Sequence, residues 1–114
     1  MEFFTDASYC NKTGLGVISI DIYLNDVLIK QMDKIYRGIK NSELEKTGVD
    51  ICHENASEIG RDYIIYTDCN SNKSDKICWI KGHAKVDKED KLRTRFRIVD
   101  IRSRKIMRQN RKEL

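Results

Sequence analysis

From Gly14 to Leu24 apolar and polar residues alternate: Ile18, Ile20, Ile22 and Leu24 fall on one side of an extended chain, with Ser19, Asp21 and Tyr23 on the other. A period of two is the mark of a strand with one face in the core and one half-exposed. Asn25-Asp26 tolerates positive φ, and Val27 to Tyr36 resumes an extended pattern, so a tight hairpin is predicted there. Upstream, Glu2 to Tyr9 reads as a short, largely apolar strand with a single interior acid, Asp6. These three segments are expected to pair antiparallel.

The period changes after Ser42. Leu44, Gly48, Ile51, Cys52, Asn55 and Ile59 recur at helical spacing, Ser42-x-x-Glu45 has the form of a capping box, and Gly60 is placed to close the helix. A glycine at 48, on the inner stripe, lets this helix approach a sheet closely. Arg61 to Asp68 (RDYIIYTD) reads as a fourth strand ending in an acid, Ser71 to Lys76 as a polar loop, and Ile77 to Lys81 as a short fifth strand. From about Asp87 onward, Leu92, Phe96, Val99 and Ile106 form one helical stripe among arginines, which predicts a basic amphipathic helix over about 88–110. The order β-β-β-α-β-β-α calls for an α/β fold with a mixed sheet and helices packed across it. With no repeat, no proline and no low-complexity linker, residues 1–114 are expected to form a single domain.

Length and charge narrow the class. A chain of 114 residues supports one core. No apolar run approaches a membrane span and the N-terminus lacks a signal-peptide pattern, so a cytoplasmic protein without membrane attachment is expected. Residues 91–112 hold ten Lys and Arg and one acid, Asp100, which leaves the other 92 positions at −5 within a total of +4. An acidic body with a basic tail suits a polyanionic partner. Cys10, Cys52, Cys69 and Cys78 lack the close pairing of a zinc knuckle and read as reduced thiols. Zinc held by Cys52, His53, Cys69 and Cys78 is the alternative, disfavoured because adjacent helix residues point in different directions. His53 reads as structural or solvent-exposed.

The predicted topology brings four acids within reach of one another: Asp6 late in the first strand, Glu43 in the first turn of the helix, Asp68 at the end of the fourth strand and Asp100 on the last helix. Each also has an ordinary structural role available, as a turn residue, a charge at a helix N-terminus or a partner for a nearby arginine. Together they would repel one another unless protonated or bridged by cations, and hard oxygen donors suit Mg²⁺ or Mn²⁺.

Phe4-Thr5-Asp6-Ala7-Ser8, Asn41-Ser42-Glu43-Leu44, Tyr66-Thr67-Asp68-Cys69 and Trp79-Ile80-Lys81-Gly82-His83-Ala84 are, in this order and on these elements, similar to the motifs of the ribonuclease H family. The resemblance covers most of the chain. It implies a ribonuclease H-like five-stranded sheet in the order 3-2-1-4-5, with strands 1–3 antiparallel. It also implies a metal-dependent endonuclease that cuts the RNA strand of RNA–DNA hybrids with two Mg²⁺ or Mn²⁺ ions. Asp6 would bridge both ions, with Glu43 and Asp68 on one side and Asp100 on the other, and Asp87 or Asp90 as alternatives to Asp100. His83 would assist proton transfer or product departure. Phosphate contacts would fall to Lys81, Lys85, Lys88 and Lys91 and to Arg93, Arg97 and Arg104, and 2′-hydroxyl or backbone contacts to Asn11 and Asn41. Trp79 reads as a core residue.

The chain also departs from the family. Only about eight residues separate Asp68 from Ile77, where family members carry one or more helices, and the basic helical protrusion is absent. Alternatives to hybrid cleavage are a related nuclease acting on a DNA junction or structured RNA, and a lapsed member that binds nucleic acid or protein without catalysis. Monomer and dimer are both open, since so small a sheet leaves an edge strand.

Overall fold

The computed structural model describes residues 1–68, 77–79 and 91–111. Its elements are β1 (Glu2–Cys10), β2 (Leu15–Leu24), β3 (Val27–Arg37), α1 (Asn41–Ile59), β4 (Ile64–Thr67), β5 (Ile77–Trp79) and α2 (Lys91–Arg111). The fold is α/β: a mixed sheet with one helix on each face. Strands run in the order β3-β2-β1-β4-β5, antiparallel from β1 to β3 and parallel from β1 through β4 to β5. Four strands form its body, and β5 adds only three residues beside β4. The β4–β5 connection, where the sequence predicts a helix-free loop, lies outside the described residues, as does any start of α2 before Lys91.

The β2–β3 hairpin turns as predicted, with Asn25 and Asp26 at φ 51° and 63°. β4 begins at Ile64, not at Arg61, because its partner begins there too. The Ile64 amide donates to the Met1 carbonyl at 3.0 Å, and the parallel register starts at Glu2↔Ile64.

α1 lies on the face of Phe3, Ile18, Ile20, Ile22 and Ile65, burying Leu44, Gly48, Val49, Ile51, Cys52 and Ala56 against them. The approach is close at Gly48, where a Cβ would stand 2.8 Å from Thr5 Oγ1 and 3.3 Å from Ile18 Cγ2. Gly48→Val is expected to cost about 1–3 kcal/mol by overpacking, read as a lower urea midpoint at unchanged slope. Gly60 closes the helix at φ 72°, donating to the Ala56 carbonyl. The start of the helix corrects the capping-box expectation. The N-cap is Lys40, which makes no side-chain cap bond, so Ser42 and Glu45 lie inside the first turns with side chains free of that role. Asn55 and Ile59 also leave the predicted inner stripe: Asn55 donates to the Ile51 carbonyl at 2.8 Å, and Ile59 is 47% exposed at the end of the helix.

The opposite face corrects the reading of β2. Its polar side is not exposed, because α2 covers it. Ser19 and Asp21 are fully buried, and Tyr23 nearly so. α2 presents Phe96 and Val99 to Phe4, Tyr23 and Tyr66, and buries Ser103. Leu92 and Ile106 are half-buried at its margins. β3 forms the exposed edge, with Lys30 and Lys34 among its apolar residues and a bulge near its start, features that blunt edge-to-edge pairing. Among the described residues, no helix is long and apolar enough to cross a membrane.

Candidate active site

The site grows from the point where β1 and β4 part. Their parallel register runs Glu2↔Ile64, Phe3↔Ile65 and Phe4↔Tyr66, and continued two residues further it sets Asp6 beside Asp68. β4 stops at Thr67 while β1 runs on to Cys10, and at the carboxyl end of β4 lies a narrow cleft, without room for a water molecule, whose lining includes Thr5, Asp6, Thr67 and Asp68. β1 is antiparallel to one neighbour and parallel to the other. Such a change of direction is where α/β sheets gather ligands.

α2 supplies the next acid. On β1, Phe4, Asp6 and Ser8 point toward α2 and meet Phe96, Asp100 and Ser103 in three successive layers. Phe4 and Phe96 share an apolar cluster, Asp6 and Asp100 are hydrogen-bonded, and Ser8 Oγ lies 2.9 Å from Ser103 Oγ. The match has a simple cause, since two strand residues advance ~6.7 Å and three or four helix residues ~4.5–6 Å. Asp6 is buried, and its carboxyl is pushed up to about 9. Burial is the largest cause, followed by the hydrogen bond to Asp100 and the negative charges of Asp68 and Asp100, with the Ala7 amide opposing them. Asp6 therefore keeps its proton at neutral pH. The other face of Asp100 meets Arg104 Nε at 3.0 Å, one turn along the helix.

The α1 acid in this cleft is Glu45, not Glu43. Glu45 and Gly48, with Ala7 of β1, complete the lining, whereas Glu43 is exposed and its carbonyl accepts the Thr47 hydroxyl at 2.7 Å. A signal for this is present in the sequence. At about 100° per residue, Glu45 lies some 60° around the helix from Gly48, the residue of closest approach, and Glu43 some 140° away.

Asn11 and Asn41 are exposed, in the β1–β2 turn and at the start of α1. A bond from the Gly38 amide to the Gly14 carbonyl (2.9 Å) draws these segments together at the cleft end of the sheet. Lys91 and Arg97 are exposed and Arg93 is half-buried. His83, Lys81, Lys85, Lys88, Asp87 and Asp90 lie outside the described residues, as do Cys69 and the side chains of Cys78 and Trp79. Cys52 and His53 diverge. The Cys52 thiol is buried in the core, where burial pushes its pKa up against a hydrogen bond with Thr5, and His53 Nδ1 pairs with the Tyr63 hydroxyl at 2.7 Å. Among the described residues, no three His, Cys, Asp or Glu already have the spacing to hold a metal ion.

Two inward arginines were not singled out by the sequence pattern. Arg102 donates from Nη1 to Asp21 (2.6 Å), from Nε to Asp33 (2.8 Å) and from Nη2 to the Ile20 carbonyl (3.2 Å), and Ser19 Oγ donates to the same Asp33 oxygen at 2.6 Å. Arg95 pairs with Glu2 and Asp26 and lies 4.0 Å over the Tyr23 ring. Their signal is an acid, Asp21, inside an apolar strand, with two arginines seven residues apart beside the apolar stripe of α2.

In comparison with known proteins, no family model matches the chain, and neither does any curated sequence or solved structure.

Proposed function

We propose that this protein is a metal-dependent nuclease with a ribonuclease H-like fold that hydrolyses the RNA strand of RNA–DNA hybrids. The observation that carries the reading is the hydrogen-bonded pair of Asp6 and Asp100, with the charge of Asp68 beside it, at the parting of β1 and β4. Carboxylates this close are stable only with a proton or a cation among them. The strand order and the pairing of the first three strands support the fold assignment.

The all-oxygen donor set suits a hard divalent ion, and binding requires Glu45 or Asp68 to rotate toward the Asp6–Asp100 pair. Mg²⁺ or Mn²⁺ bound there would supply a polarised water and charge stabilisation for in-line displacement at phosphorus. The protein's own residues do the rest. Asp6 is held by the sheet on the cleft floor, Asp100 is presented by α2, and Glu45 takes the role expected of Glu43. Arg93, Arg97 and Arg104 fall within about 60° of Asp100 around α2, so phosphate contacts would line up beside the acids. These contacts position a duplex without reading its sequence.

The test is cleavage of labelled RNA–DNA, RNA–RNA and DNA–DNA duplexes with Mg²⁺, Mn²⁺ or EDTA. Cutting of the hybrid's RNA strand alone, abolished by EDTA, is the expected result. Equal cutting of all three duplexes refutes hybrid specificity, and no cutting refutes the nuclease reading. Glu45→Gln is expected to lower kcat by about 100-fold or more, whereas Glu43→Gln stays within about two-fold of the parent. Arg97→Ala is expected to weaken hybrid binding and reduce the slope of log K against log salt by about one, read by fluorescence anisotropy across a salt series.

A further inference from the structure

α2 meets the sheet through an apolar cluster at Phe96 and Val99 with polar contacts on both sides of it. Its central line, Phe96, Val99 and Ser103, rests on β1, β2 and β4. Its two flanks carry opposite charges in different settings. Asp100 leans over β1 toward Asp6, and Arg102, some 160° away around the helix, hooks onto β2 and β3. Arg102 bridges two carboxylates and a carbonyl. Asp21 is fully buried, and its Oδ2 has no hydrogen-bond partner. An apolar pair in this position would hold the helix without leaving a buried oxygen unsatisfied, but it would not set the helix's rotation. Charged bridges are directional, and fixing a register is their best-attested use.

We propose that Arg102 is a positioning residue for the acidic site: its bridge from α2 to Asp21 and Asp33 sets the roll of the helix that brings Asp100 against Asp6. The inference rests on the nuclease reading for its catalytic consequence but not for its geometry. Phe96 and Val99 are smooth contacts about which the helix can turn. With side chains reaching ~5–6 Å from the axis, a roll of about 10° moves the Asp100 carboxylate by about 1 Å. A displacement of that size can cost about 100-fold in rate. Arg95 hooks the same flank two turns earlier, but onto half-buried Glu2 and exposed Asp26, at 3.2–3.4 Å and away from Asp100.

The deciding variant is Asp21→Asn/Arg102→Met, which removes both charges of the buried pair and keeps side-chain volume. Its crystal structure is expected to show the Asp100 carboxylate displaced from Asp6 by about 1 Å or more. On a hybrid substrate with Mg²⁺, kcat is expected to fall about 100-fold with KM within a few-fold, since the phosphate-contacting arginines are untouched. Arg102→Lys keeps one bond to Asp21 and loses the bridge, so it serves if the double variant does not fold, and it is expected to lose about ten-fold in kcat. Arg95→Met is the control: an anchor of the same helix that leaves kcat within a few-fold. An unmoved Asp100 overturns the inference, and so does a kcat loss as large in Arg95→Met as in the Arg102 variants. A parent protein without cleavage refutes the nuclease reading alone, because the position of Asp100 in the variant structure still decides the role of Arg102.

Discussion

Asp6→Asn is expected to abolish cleavage and, in metal-free buffer, to make the protein more stable. The folded-state carboxyl lies at about 9 against an ordinary 3.8, raised by burial and by its acidic neighbours. Between those values the folded protein keeps a proton that the unfolded chain has released, so the unfolded state gains on the folded one as pH rises, by ~1.4 kcal/mol per pH unit for a single such group. Below about pH 4 both states are protonated and the penalty is absent; it grows through neutrality and is complete above about 9. Asparagine is nearly isosteric, neutral throughout, and still able to hydrogen-bond to Asp100. Urea unfolding in EDTA at pH 5, 7 and 9 is therefore expected to show a parent that weakens with pH and a variant that weakens less, with a gap of a few kcal/mol by neutrality. Mg²⁺ is expected to narrow the gap, because an ion that binds the folded parent stabilises it by mass action. The same substitution removes the carboxylate at the centre of the site, so a loss of about three orders of magnitude or more in kcat is expected. Parallel pH profiles for parent and variant would show that the carboxyl is not perturbed and would remove the main support for a clustered site.

Arg102→Ala is expected to produce the largest loss of stability of any single charge removal in the described structure, about 3–5 kcal/mol. The reason is what the truncation leaves behind. Asp21 has no exposed surface, one of its oxygens already lacks a partner, and the other would lose the guanidinium now 2.6 Å away. Against a total stability of about 5–15 kcal/mol for a domain, such a change populates unfolded chains measurably at 37 °C. Removing both charges together leaves no buried anion, so the Asp21→Asn/Arg102→Met protein is expected to stay within about 1–2 kcal/mol of the parent or exceed it. Denaturant midpoints of the single and double variants read this contrast directly. A single variant as stable as its parent would mean that water or rearrangement satisfies Asp21, contrary to its position beneath α2.

The charge division along the chain acquires a different meaning in this light. The arginines of α2 fall into two sets by position around the helix. Arg95 and Arg102 neutralise Glu2, Asp21, Asp26 and Asp33 in the acidic body, so part of the apparent dipole of the sequence is internal. Arg93, Arg97 and Arg104 lie on the Asp100 side of the helix, where the proposed phosphate contacts fall. A count of charges along the chain does not separate the two sets.

The hairpin at Asn25-Asp26, the α1 stripe through Leu44 and Gly48, the glycine stop at 60 and the amphipathic α2 were all legible in the chain, because each depends on residues within a few positions of one another. So were the carboxylates Asp6, Asp68 and Asp100 as candidates, since motif order places them on strand ends and a helix. What local pattern misjudged was decided by contacts far apart in sequence. Ser19, Asp21 and Tyr23 follow a solvent-facing alternation, yet they are buried, because a helix some eighty residues downstream covers them, its Arg102 meeting Asp21 and its Arg95 lying over Tyr23. The choice of Glu45 over Glu43 depends on how α1 rotates to seat Gly48 over Thr5, a packing constraint that a capping-box pattern does not contain. Periodicity fixes which face of an element is apolar; which partner covers that face, and at what rotation, is set only when the elements pack, and the proposed chemistry of this protein rests on those rotations.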